Sequence, residues 1–380
     1  MYKKTIKLFL AALLITLTII SCKTNTQQQN ETITPLIQLP RTGQFQCFDN
    51  RGNVIPCTGT GQDGELQRGV KWPKPRFIVH SNGTVIDRLT GLMWERKPSL
   101  KRVNWYDAFK RIDGLNKQKL GGYTDWRMPN INELISLINF GEGDQAIWLN
   151  SQGFNSIQKK FSLYWSGSTC FSTIDSNSNK NAYCLLMRDG IVSGNEKLSN
   201  HDIVGPFTFN FFVIAVRTHT QGRISLPQTG QTMSYHPGDD GALKIGVPLP
   251  KKRFLIIGNK TVTDRLTGLI WELSPDKKLY NWDEAYKRIA YLNSIKLGGY
   301  NDWRLPNILE LKSLIMSSIN HRKYMMRQGF KNIKNNNFIS SSNEVFYNKN
   351  VWYINIAHVG VNSNNKNYKG HCVIAVRGGS

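Results

Sequence analysis

Three common catalytic signatures are missing from the 380 residues. There is no glycine-rich phosphate loop, no His-Glu-x-x-His and no Gly-x-Ser-x-Gly, so nucleotide, zinc-peptidase and serine-hydrolase chemistry start without support. Cysteine is sparse: six residues, too scattered for a zinc module and too few for a disulfide-built scaffold. The histidines are scattered and do not match between the halves of the chain. Glu142 and Asp144 form the one tight acidic pair in an open loop, and the second half lacks it. Calcium needs six to eight oxygen ligands, so neither a metal nor a cofactor is expected. Acidic residues number 26 against 49 Lys plus Arg, a net charge of +23. What is present suffices for folding: hydrophobic residues make up 40% and aromatics 11%, enough to bury cores.

The first apolar run, Leu8 to Ile20, follows Lys3, Lys4 and Lys7. At about 13 residues it is too short to span a bilayer and has the length of a signal-peptide core. It ends in Ser21-Cys22, which resembles the bacterial lipobox and implies cleavage before Cys22 with acylation of that residue. Residues 1–21 are thus expected to be a lipoprotein signal. Losing them removes three lysines and no acid, leaving +20. Residues 22–38 are polar and read as a flexible tether of about 20 Å. Lys23, where an aspartate usually marks inner-membrane retention, tilts the expectation to the outer membrane. In that oxidising compartment, Cys47 and Cys57 flank a short Asn-Arg-Gly-Asn turn and are expected to pair. Cys170 and Cys184, on two strand-like runs, are a plausible second pair. Cys372 stays outside these pairs.

The chain contains itself twice. Thr84-Val-Ile-Asp-Arg-Leu-Thr-Gly-Leu-Met-Trp-Glu95 returns as Thr261-Val-Thr-Asp-Arg-Leu-Thr-Gly-Leu-Ile-Trp-Glu272, so that Asp87 corresponds to Asp264 at an offset of 177. Leu39-Pro-Arg-Thr-Gly-Gln44 returns as Leu226-Pro-Gln-Thr-Gly-Gln231, without the segment that carries Cys47 and Cys57. A period this long is no solenoid. It predicts two tandem domains, 39–222 and 223–380, each with its preface and its own core. Within a unit, strands are expected around Ser81-Asn82-Gly83. A helix should start at Asn104 and bury Trp105, Ala108, Phe109, Ile112 and Leu115, and a second should start at Asn130 with Glu133 three residues on. Short aromatic-rich strands follow, which is an α+β pattern.

The densest motif is Gly121-Gly-Tyr-Thr-Asp-Trp-Arg-Met-Pro-Asn130, repeated as Gly298-Gly-Tyr-Asn-Asp-Trp-Arg-Leu-Pro-Asn307. In an extended segment Trp126 and Trp303 point opposite to their neighbours and can plug a core. Asp125 with Arg127, and Asp302 with Arg304, then read as staples bonded to nearby loop backbone, or as ligand-binding pairs; the staple is preferred. These motifs, with Thr-Val-x-Asp-x-x-Thr-Gly-Leu-x-Trp-Glu, resemble the family named after the C-terminal domain of the Legionella collagen-like adhesin. The resemblance covers about 76–217 and 253–377. It implies a compact domain related to C-type-lectin-like and formylglycine-generating-enzyme-like folds and, for the namesake, adhesion to sulfated glycosaminoglycans. The chain departs from it where many members carry cysteines: Ile112, Ala215, Ile289 and Ala375 stand there instead. The calcium and sugar motifs of calcium-dependent lectins and the cysteine pair of the formylglycine-type oxidases are absent, so no enzyme is expected.

Positive charge gathers in two runs: Arg96, Lys97, Lys101, Arg102, Lys110 and Arg111, and Arg322, Lys323, Arg327 and Lys331. Such runs bind anionic polymers with release of counterions. A genome bias towards Asn, Ile and Lys is the compositional alternative. Six tryptophans pair between the copies and read as core. Trp72, Trp148, Trp165 and Trp352 do not pair and are the better candidates for exposure. The expected function is therefore non-enzymatic: a lipid-anchored envelope protein, adhesive, binding an anionic glycan and not nucleic acid. The alternative is an envelope module that recognises another protein.

Overall fold

In the computed structural model of the chain, the described residues are 33–159, 162–170, 178–198, 210–316, 321–334, 337–357 and 360–379. The signal segment, Cys22 and the tether up to residue 32 lie outside them, whereas the tether's expected end is docked, with Ile37 3% exposed and its amide on the Leu266 carbonyl at 3.0 Å. The first preface forms a two-stranded hairpin, β1 (Cys47–Phe48) and β2 (Val54–Ile55), then a one-turn helix α1 (Asp63–Leu66). A Cys47–Cys57 disulfide closes the hairpin.

The first repeat runs β3 (Phe77–Val79), β4 (Thr84–Asp87), β5 (Leu92–Glu95), α2 (Trp105–Lys117), α3 (Ile131–Ser136), α4 (Gln145–Ser151), β6 (Leu163–Thr169), β7 (Asn181–Leu186), β8 (Ile191–Glu196) and β9 (Val216–Thr218). The second preface holds α5 (Asp240–Leu243). The second repeat follows with β10 (Phe254–Ile257), β11 (Thr261–Asp264), β12 (Ile270–Glu272), α6 (Trp282–Ser294), α7 (Ile308–Ser313), α8 (His321–Arg327), β13 (Asn337–Asn343), β14 (Asn350–Asn355), β15 (Gly360–Asn365), β16 (His371–Cys372) and β17 (Val376–Arg377). The class is α+β in two repeats. In each, an antiparallel sheet of four short strands is closed by the chain's return, β3-β4-β5-β9 and β10-β11-β12-β17. A second sheet, β6-β7-β8 or β15-β14-β13-β16, packs beside the helices.

Local chemistry explains these elements. The Asn104 side chain accepts from the Asp107 amide and starts α2, which buries Trp105, Ala108, Phe109 and Ile112 at helical spacing. Asn130 and Glu133 form a full capping box on α3, as do Asn307 and Glu310 on α7. The Asp-Arg-Leu-Thr-Gly letters are a turn. Asp87 accepts from Arg76 Nε and Nη2, the Leu89 amide and the Thr90 hydroxyl. Gly91 follows at φ 73°, with the Thr220 carbonyl 2.1 Å from where a Cβ would stand. Asp264 repeats these bonds with Arg253, Leu266 and Thr267.

Each repeat has one apolar cluster of its own, around Trp105, Trp126 and Trp165 in the first and Trp282, Trp303 and Ile339 in the second. A third cluster belongs to both. It joins Trp94 and Phe140 of the first repeat to Trp271 and Trp352 of the second, with the Phe140 and Trp352 rings edge to face at 5.3 Å. Residues 35–380 accordingly form one compact unit. The expectation of a fully separate core for each copy gives way to a partly shared one. Trp165 and Trp352, expected at the surface, are 0% and 4% exposed. The equivalent buried positions in the other half hold Ile339 in place of Trp165 and Tyr183 in place of Trp352, so each site is kept while the residue type is not.

The prefaces cross over. Asp63 of the first preface accepts from Ser342 of the second repeat and from Thr42 (2.8 Å). Gln44 bonds both the amide and the carbonyl of Asn343. Lys366, 1% exposed, donates to the Asp49 carbonyl at 3.0 Å. The second preface does the same to the first repeat: Asp240 accepts from Ser168 (2.5 Å) and Thr229 (2.6 Å), and Gln231 accepts from the Thr169 amide (2.7 Å). Lys197, 2% exposed, sits 4.3 Å from the Trp105 ring and 4.4 Å from that of Tyr235. Lys366 is placed likewise, 4.5 Å from Trp282 and 5.5 Å from Phe48. Each preface is contiguous in sequence with one repeat and docks its helix on the other. Equivalent elements also meet: Gly360 of β15 packs on the Val192 carbonyl of β8, and Lys312 of α7 reaches Asn132 of α3. The arrangement is a pseudo-twofold built within one chain.

Candidate functional site

The repeated motif is used up in bracing. Arg127 forks onto both oxygens of Glu133 at 2.7 and 2.6 Å, and Arg304 onto Glu310 at the same distances. Asp125 and Asp302 take Arg217 and Arg377 at 2.7 Å. The main partners are therefore charged side chains, and the loop backbone that was expected is met as well, most closely at the Gly378 carbonyl, 2.9 Å from Arg304 Nη2. Trp126 and Trp303, both 2% exposed, are clamped by Asn116 and Asn293, whose amides bond the Trp backbone on both sides.

Of the first basic run, Lys97, Lys101, Arg102 and Lys110 are exposed, with Lys110 held by Asp107 at 2.8 Å and Arg102 5.0 Å from the Phe212 ring. Arg96 is half-buried and donates to the Gly153 carbonyl. Arg111 is a correction. It forms an ion pair with buried Glu95, as Arg288 does with Glu272, because the helix face that carries it lies over β5. Burial pushes Glu95 up while the Arg111 charge opposes it. In the second run Arg322, Lys323, Arg327 and Lys331 are exposed, with Arg322 Nε on the Ile333 carbonyl.

The proposed Cys170–Cys184 bridge is a second correction: both are buried thiols. Cys184 pairs across from Trp165, whereas the Cys170 amide bonds Asn181, so they sit at different levels of the ladder. Burial pushes Cys170 up to about 11 and Cys184 well above the ordinary thiol range, which keeps both protonated and poor as nucleophiles. No group of three or more His, Cys, Asp or Glu among the described residues is placed to hold a metal. No helix among them is long and apolar enough to cross a membrane.

The structure assembles a cleft that neither basic run contains. It has a volume of about 560 Å³ and is walled by the first preface and α4, with Phe45, Trp72 and Trp148 as aromatic surfaces and Arg41, Lys71, Lys74 and Arg76 as cations. Glu142 is the one carboxylate among the described residues that line it. The Trp72 and Trp148 rings are 5.8 Å apart and inclined at 46°. Trp72 Nε1 donates to the Arg41 carbonyl at 2.9 Å, which fixes its plane. Beneath it lies the Arg76 guanidinium, 4.4 Å from the ring. Arg76 is 4% exposed and tied to Asp87, and its Nη1 has no partner among the described residues. Phe45, at 61%, is freely exposed at the rim. The corresponding positions of the second copy are Thr232, Pro248, Leu249 and Tyr324, so that copy lacks the Phe, the Trp pair and the first lysine. The segment Lys71-Trp-Pro-Lys-Pro-Arg76 carried the signal: a lysine beside an unpaired tryptophan, just before the first repeat.

A family model described as the Lcl C-terminal domain matches residues 83–205 and 260–377. No curated protein and no solved structure matches the chain.

Proposed function

The chain belongs to the Lcl C-terminal domain family, carrying the domain twice, and on that premise we propose that it is a non-enzymatic envelope protein that binds an anionic glycan. The observation that carries this reading is the cleft in which Trp72, Trp148 and Phe45 stand among Arg41, Lys71 and Lys74. Aromatic faces suit the C–H faces of sugar rings. Guanidinium and ammonium groups suit sulfate or phosphate. Lys97, Lys101, Arg102, Arg322, Lys323, Arg327 and Lys331 add an exposed positive field that would steer a polyanion. Anchorage by acylated Cys22, an outer-membrane address and a lectin-like ancestry for each repeat belong to the same proposal.

The test is retention of residues 23–380 on a heparin column against salt. Binding should fall steeply with salt. Phe45→Ala, at the exposed rim, and Lys71→Ala/Lys74→Ala should each elute at clearly lower salt than the unaltered protein while melting at a similar temperature. Elution no later than a neutral protein of similar size, or no change in either variant, refutes the reading. A protein-recognition role has one observation in its favour: Ile78 and Val79 on β3 and Ile256 and Ile257 on β10 are 39–46% exposed, with Val79 and Ile256 at equivalent places in the two repeats. It gains if heparin retention is absent.

A further inference from the structure

A second cavity, of about 70 Å³, lies at the pseudo-twofold, where the two prefaces meet α3 and α7. Its walls are mostly apolar, with Leu39, Leu226, Leu249 and Leu309 among them. Its charged lining residues are Arg41, Arg253 and Lys312, with no carboxylate among the described ones. Arg253 is neutralised by Asp264. Arg41 spends Nε on the Gly69 carbonyl and Nη1 on Gln67. Lys312 is different. It is 7% exposed, and its ammonium, with three donors, has one hydrogen bond, to Asn132 Oδ1 at 3.1 Å.

The repeat makes this lysine conspicuous. Lys312 and Asn132 correspond to Ile135 and Leu309 in the opposite copies. An apolar pair thus fills the equivalent positions, and packing alone does not call for a cation. A buried ammonium is expensive unless charge and hydrogen bonds compensate it. Burial pulls Lys312 down to about 8, so near neutral pH it still carries charge that an anion would satisfy. Half-buried Arg41 and Gln228 flank the cavity on the preface side.

We infer that this cavity binds a short-chain monocarboxylate, its head on Lys312 Nζ and its hydrocarbon body against Leu226, Leu249 and Leu309. The volume limits the guest: it is about half that of an engineered cavity that takes benzene, which suits about two to four carbons. The site goes beyond the glycan cleft and stands or falls independently of it.

The experiment titrates residues 23–380 with sodium acetate, propionate and butyrate at constant ionic strength, reading melting temperature and calorimetric heat. 1-Butanol, chloride and phosphate serve as comparisons. A carboxylate should give a saturable upward shift that butanol and the inorganic anions do not. Lys312→Met should weaken it at least tenfold. Leu226→Trp, which fills the cavity from a half-buried position, should abolish it with Lys312 intact, and covers the case in which the lysine variant does not fold. Heparin retention should be unchanged by either substitution. No saturable response to any carboxylate, a response matched by phosphate, or one that survives Leu226→Trp overturns the inference.

Discussion

Residues 223–380, produced alone, should form a dimer and not a folded monomer. In the full chain their preface docks on the first repeat, where Asp240 meets Ser168 and Gln231 meets Thr169. Removing the first repeat leaves that preface without its seat. It also empties the seat on the second repeat, where Ser342 and Asn343 hold the first preface. Thr229 and Asp240 match Thr42 and Asp63, so a second copy can fill the empty seat with nearly the same hydrogen bonds. The exchange is then isologous and closes at two. Light scattering across a concentration series should find twice the fragment mass, with loss of structure on dilution. A stable, dilution-resistant monomer would show that a preface can serve its own repeat.

The second large effect is a pH dependence at the two docking carboxylates. Burial pushes Asp63 and Asp240 each up to about 6, against the hydrogen bonds from Ser342 and Thr42, and from Ser168 and Thr229. Glu310 and Arg304 face Asp63 with opposite effects, while Glu133 and Asp239 add to the rise at Asp240. An unfolded aspartate ionises near 3.8, so between about pH 4 and 6 the folded chain holds protons that the unfolded chain has lost. Stability from these groups is therefore present below pH 4 and lost as pH rises through 6. Raising both carboxyls from near 3.8 to about 6 corresponds to at most about 6 kcal/mol together. The clean readout is the difference in unfolding free energy between the natural chain and Asp63→Asn/Asp240→Asn. It should move in the variant's favour between pH 4 and 7. His321 and His371, which burial holds down to about 3 and 4, titrate in both proteins and cancel. A difference independent of pH would mean that these carboxylates stay ionised in the fold.

Much of one repeat can be read from its letters because the chemistry is local. Asn104 caps the helix that follows it, Glu133 completes the cap begun three residues earlier, and Asp87 folds a turn around its own neighbours. The misreadings concern partners distant in the chain. Arg111 lies off the apolar face of its helix and looks solvated until β5 brings Glu95 beneath it. Trp352 has no counterpart at its position, yet Phe140 of the other repeat covers it. The aromatic and basic cleft needs Trp148 of α4 beside Trp72 of the preface, a meeting that no spacing announces. The crossing of the prefaces is hidden most completely, because contiguity suggests that each belongs to the repeat it precedes. Asp63 and Asp240 recur at the repeat offset whichever way the prefaces dock.

That crossing is the claim on which the rest depends, and a photo-crosslink tests it most directly. Tyr235 of the second preface lies over Lys197 of the first repeat and is half-buried, so p-benzoylphenylalanine can replace it with little disturbance. Irradiation of the dilute full-length chain followed by peptide mapping should join residue 235 to the first repeat, around Trp105 and Lys197. A crosslink to the second repeat, around Trp282 and Lys366, would contradict the exchange.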